Sequence, residues 1–248
     1  MKKRSQITVF IILGLIFFLI IGLVVYKIAD INKKKLGQQG VADYSRVMPV
    51  ENFVQSCVQL VGTEAVTKLG QQGRIYPQAF IQSPTSSVSY FYYKGNGFFP
   101  SRVQYLEEDI SRYVMENLDE CLADFSDFDY PIETDDSRLR VKTSFNERDA
   151  TIILEYPITV TLSGSKTTVS EFSAKIDFEF LPIYDLSKRI YEKTQAEPDW
   201  VDVDFLAEQP YDIRLIKIDD QTLLYEITDD DALNDEPYVY RFAMKYNL

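Results

Sequence analysis

The chain has 248 residues, with 26 Lys+Arg against 38 Asp+Glu for a formal net charge of −12, two cysteines and no histidine. Without histidine there is no Ser-His-Asp or Cys-His catalytic unit, no histidine-ligated zinc and no imidazole pH switch, and two cysteines are too few for a four-thiolate zinc site or an iron–sulfur cluster. The acidic balance argues against a nucleic-acid binder, while 46% hydrophobic and 14% aromatic residues supply a packed core rather than disorder.

Met1-Lys2-Lys3-Arg4 is basic, and the stretch from Ser5 to Tyr26 then carries no charge. As a helix it spans about 33 Å at about 1.5 Å per residue, enough for a bilayer core of about 30 Å. A helix is the form that satisfies its backbone polar groups in lipid. The apolar run is longer than that of a cleavable secretory peptide, and Val24-Val25-Tyr26-Lys27 offers no small-residue cut site. The expected organisation is a basic leader and transmembrane helix over 1–29, a juxtamembrane linker over 30–46, and an acidic ectodomain over 47–248 with an optional subdivision near 130. Lysines flank the apolar run on both sides, so the positive-inside rule does not orient it. Long domains translocate largely regardless of charge, and a cysteine pair suits an oxidising space. The expected location is therefore the cell membrane, single-pass, with the bulk of the chain outside the cytoplasm.

In the body, 51–70 places Phe53, Val54, Cys57, Leu60, Val61, Ala65 and Leu69 at helical spacing, with Gly70 as its cap. Val88–Tyr93 and Phe98-Phe99 flank the turn sequence Lys94-Gly95-Asn96-Gly97 and predict an aromatic hairpin. A second long helix follows, opened by Pro100-Ser101 with Ser101 as cap, its apolar face running from Val103 to Phe125 through Cys121. Beyond Pro131 the pattern turns to strands: 138–145, 150–162 and 167–180, then 211–218, 222–228 and 238–245, with a third helix over 186–196 as an option. The expected fold class is α+β: the transmembrane helix, two long helices, and an antiparallel sheet in a meander.

Cys57 and Cys121 each lie on the apolar face of a predicted helix. They read either as a disulfide or as two reduced core thiols, and the exterior compartment favours the bridge. With no Cys-x-x-Cys and neither residue opening a helix, a redox-catalytic pair is not expected. Three acidic groups, Asp124/Asp127/Asp129, Asp199/Asp202/Asp204 and Asp229–Asp231, offer hard oxygen ligands of the kind Ca²⁺ takes, but none matches the twelve-residue calcium loop. Solvated acidic turns are the simpler reading, so no metal and no cofactor are expected. Gly95-Asn96-Gly97 lacks the spacing of a phosphate-binding loop. Tyr90, Tyr92, Phe98 and Phe99 read either as a partner surface or as rings buried between the helices.

Lys3-Arg4-Ser5-Gln6 ahead of an apolar helix resembles the processing site of archaeal type IV pilins. The resemblance implies cleavage between Ser5 and Gln6 with the helix retained. The wider layout, a membrane helix followed by two cysteine-bearing helices around Cys57 and Cys121, is similar to single-pass membrane-anchored ectodomain proteins of small-genome archaea. That likeness implies no activity.

The functional expectation is a membrane-anchored cell-surface binding or structural protein that is not an enzyme. Its expected partners are the lipid bilayer, other surface proteins, or a second copy through Gly14 and Gly22 of the membrane helix, and no nucleic acid. The alternatives are a pilin-like filament subunit and a membrane-tethered, carboxylate-dependent hydrolase.

Overall fold

A computed structural model describes residues 47–82, 87–234 and 236–246. The apolar run of 5–26, Ser5-Gln6 and the linker lie outside the described residues. Among the described residues no helix is long and apolar enough to cross a membrane. Residues 50–248 form one compact unit.

Helix α1 covers 47–72 and leads into strands β1 (Phe80–Gln82), β2 (Ser87–Tyr93) and β3 (Asn96–Gly97). Then come α2 (Gln104–Leu122), β4 (Ile132–Thr134), β5 (Arg140–Phe145), β6 (Asp149–Leu162) and β7 (Ser165–Asp177). The chain closes with α3 (Leu181–Ala196), α4 (Val203–Ala207), β8 (Asp212–Asp219), β9 (Thr222–Leu233) and β10 (Glu236–Lys245).

The expected α+β meander is corrected. Strands hold more of the described residues than helices do, and they form two sheets. One runs β1-β2-β10-β9-β8 with β3 on β2; the other centres on β6, flanked by β4, β5 and β7. Nor is the pairing purely antiparallel, since β10 lies parallel to β2 with Ala243 opposite Tyr90. That pairing joins segments some 150 residues apart in the chain, a distance over which local patterning carries no signal. The sheets meet where Phe178 bridges Leu233 and the Glu179 amide donates to the Ala232 carbonyl.

Element ends shift for identifiable reasons. Helix α1 continues past Gly70; its cap is Gly73, whose φ of +74° is the left-handed conformation glycine adopts without strain, and whose amide donates to the Leu69 carbonyl. Helix α2 begins at Gln104 with no side-chain cap, so Ser101 does not serve. Helix α3 begins five residues before 186, because Pro182 sits in the first turn, where its missing N–H costs nothing. The aromatic hairpin closes through Lys94-Gly95, both with positive φ, and Phe98-Phe99 fall outside its strands. The acidic run Asp229–Asp231 lies inside β9 rather than in a turn.

Helix α1 crosses both sheets. Gly62 faces Ile152 of β6 and Ile176 of β7, which leave no room for a Cβ. Nearer its end, Tyr238 donates to the Val66 carbonyl and Tyr240 to the Gly73 carbonyl, both at buried positions on β10. Helix α2 covers β5: the Thr143 amide donates to Ser111 Oγ at 2.9 Å and the Phe145 amide to Glu107 Oε1 at 2.8 Å. Those bonds occupy backbone donors on β5 that would otherwise be open. The two helices are joined by the Cys57–Cys121 disulfide, Cα–Cα 5.6 Å, and Arg74, just beyond the end of α1, grips buried Asp109 of α2 with two hydrogen bonds of 2.9 and 3.0 Å.

Candidate functional site

Among the described residues, a cavity lies between α3 and α4. Helix α3 ends at Ala196, and the backbone turns through 197–202, where the Trp200 amide donates to the Glu197 carbonyl. Asp202 then caps α4 by accepting from the Phe205 amide at 3.0 Å. The short helix is tied back to α3 electrostatically: Lys193 Nζ lies 2.7 Å from Asp202 Oδ2 and 4.6 Å from the centre of the Phe205 ring, with the Arg189 guanidinium 5.5 Å from the same ring. The hydrogen bond from Lys193 and then that from the Phe205 amide hold the Asp202 carboxyl below the ordinary carboxylate range.

The cavity, open at one side, has a volume of about 260 Å³. Ile190, Ala196, Val201 and Leu206 wall it, Phe205 and Tyr225 contribute rings, and Thr194 and Glu197 complete it. Tyr225, fully buried on β9, shares a 2.5 Å hydrogen bond with the Tyr246 hydroxyl, and burial pushes both phenols above their ordinary pKa. At the mouth stands Trp200, the protein's one tryptophan, 62% exposed. An apolar lining with few polar groups is the usual make-up of a small-molecule site. Of its polar groups, Lys193 and Asp202 are paired with each other and the Tyr225 hydroxyl is bonded to that of Tyr246.

The residues singled out from sequence lie elsewhere. Cys57 and Cys121 form a disulfide between α1 and α2, as their apolar faces and an oxidising compartment suggest. Ser5 and Gln6 lie outside the described residues. The aromatic run divides: Tyr92 is buried, Tyr90 and Phe98 are half-buried, and Phe99 stacks on Tyr184 and Tyr191 at 5.4 and 5.1 Å while meeting Phe91 edge-on. Tyr93, packed edge-to-face against Tyr90, is the exposed ring of the strand. Among the described residues no three acidic or sulfur side chains converge as a metal site would need. Asp202 is an α4 cap, and Asp229 accepts from the Asp231 amide.

Sequence reasoning missed Trp200, Phe205 and Tyr225 as a group. One signal was present: a lone tryptophan followed by Val201, Phe205 and Leu206 inside an acidic stretch, where apolar residues have little reason to sit unless they meet a surface. No family model, curated protein or solved structure matches the chain.

Proposed function

We propose that the chain is a non-catalytic binding protein held at the cell surface by its N-terminal apolar segment, with the α3–α4 cavity as its ligand site. The observation that supports this most is a preformed, apolar cavity with an exposed tryptophan at its mouth and its rim ion pair already closed. Tryptophan is the side chain most enriched among residues that dominate binding energy. The disulfide accords with an oxidising exterior. A carboxylate-dependent hydrolase would need a working pair of carboxyl groups, whereas of the two that line this cavity Asp202 is committed to Lys193 and to the Phe205 amide, leaving Glu197.

Protease treatment of intact cells producing the full chain tests the location. The expected result is loss of the body while an N-terminal fragment sediments with the membranes. A chain that stays protease-resistant until lysis, or that remains in the supernatant after ultracentrifugation without detergent, overturns it. A second reading, a filament subunit, is favoured by Arg4-Ser5-Gln6. It requires mature protein beginning at Gln6 and recovered in sheared surface filaments.

A further inference from the structure

We propose that the α3–α4 cavity takes a neutral, hydrophobic ligand the size of two fused rings, closed over by Trp200. The inference rests on the reading of this cavity as a ligand site and adds the class of ligand.

Charge decides the first part. Lys193 and Asp202 neutralise each other at 2.7 Å, and the Phe205 face is already occupied by Lys193 and Arg189. An anion would have to break the Lys193–Asp202 pair and enter beside Glu197 on a protein of net charge −12. A cation entering beside Phe205 would be opposed by the charges of Lys193 and Arg189 already set over that ring. The hydroxyls weigh against a sugar: Tyr225 and Tyr246 are hydrogen-bonded to each other and Asp202 is paired with Lys193, so a polyol set against Ile190, Val201 and Leu206 would lose its water for few side-chain partners, Thr194 and Glu197. An apolar ring loses nothing comparable and gains contact with the apolar wall.

Volume sets the size. A dry cavity of about 150 Å³ lined by aliphatic and aromatic side chains holds a single benzene ring; at about 260 Å³ this one has room for a second, fused ring. Trp200 at the mouth supplies a flat face on which such a ring can stack.

The single tryptophan makes the test direct. The full chain, carrying 5-fluorotryptophan and held in lipid nanodiscs, gives one ¹⁹F resonance from Trp200, which is followed while indole is added. The expected result is a saturable shift, half complete below about 1 mM and reversed by cyclohexanol as a competing neutral, largely apolar ring. Ala196→Phe, at an exposed position on the cavity wall, should weaken the response by about tenfold or more. The titration and competition on the unaltered chain stand whether or not that variant folds. A resonance that moves with glucose but not with indole overturns the ligand class and leaves a ligand site in place. A resonance unmoved by either, or moving linearly and equally in the Ala196→Phe chain, overturns both.

Discussion

Replacing Cys57 and Cys121 together by alanine should cost about 4 kcal/mol of stability. The bridge spans 64 residues of sequence, and its removal returns the loop-closure entropy to the unfolded chain, a contribution of about that size in the chain-entropy model. The two cysteines join helices that pack on different parts of the fold: α1 lies across both sheets, and α2 covers β5. Loss of the bridge should therefore lower the denaturant midpoint of the whole compact unit rather than free one helix. Denaturant unfolding of the oxidised chain, the reduced chain and the double variant measures this. The reduced chain and the variant should coincide, both well below the oxidised protein. Coincidence of all three curves would mean that the helices are held without the bridge.

Phe242→Ala should be the costliest core truncation, at about 3–5 kcal/mol. Phe242 is fully buried on β10, stacked on Phe91 of β2 at 4.6 Å and on Tyr225 of β9 at 5.1 Å, with interplanar angles of 9° and 4°. The three rings run across three adjacent strands, including the one parallel pair in the sheet. The truncation removes two stacking partners and leaves a cavity walled by rigid strands that cannot close on it. It also loosens Tyr225, which lines the candidate ligand site. Tyr93→Ala on the neighbouring strand, where the ring is 38% exposed, is the internal comparison; it should cost less than a third as much. Thermal or denaturant unfolding of the two variants side by side checks the ratio.

Some of this architecture was legible in the sequence and some was not, for physical reasons that differ by element. The β-branched runs of β5, β6 and β7 announce themselves because alternation is a local property. Cys57 and Cys121 were legible because each sits at helical spacing among apolar residues. The α+β meander failed as a fold class because sheet membership is set by long-range pairing: nothing near Tyr90 says that its neighbour is Ala243. The acidic Asp229–Asp231 reads locally as a turn, yet β9 extends through it because β10 pairs alongside, with an irregularity between Glu236 and Tyr238. Gly70 resembles a helix end as well as Gly73 does; only the packing against β10 decides between them.

The candidate site was the least legible part. Trp200 lies in Pro198-Asp199-Trp200-Val201-Asp202, a composition that signals loop. Its wall residues come from α3, the 197–202 connection, α4 and β9, and the approach of β9 to the other three follows from the tertiary fold. The aromatic run that stood out instead, Tyr90 to Phe99, directs most of its rings into the interior: Phe91 joins the stack under Phe242, and Phe99 lies against Tyr184 and Tyr191 of α3. That packing holds α3 against the larger sheet and so positions one side of the cavity.

The proposed binding cavity is open before any ligand arrives, with its tryptophan in water. Steady-state fluorescence of the unliganded full chain, excited at the tryptophan band and titrated with the neutral quencher acrylamide, tests this most directly. With Trp200 62% exposed, the emission should resemble that of a solvated indole and be quenched efficiently. Emission shifted toward that of a buried ring and insensitive to acrylamide would place Trp200 inside the protein and contradict the open site.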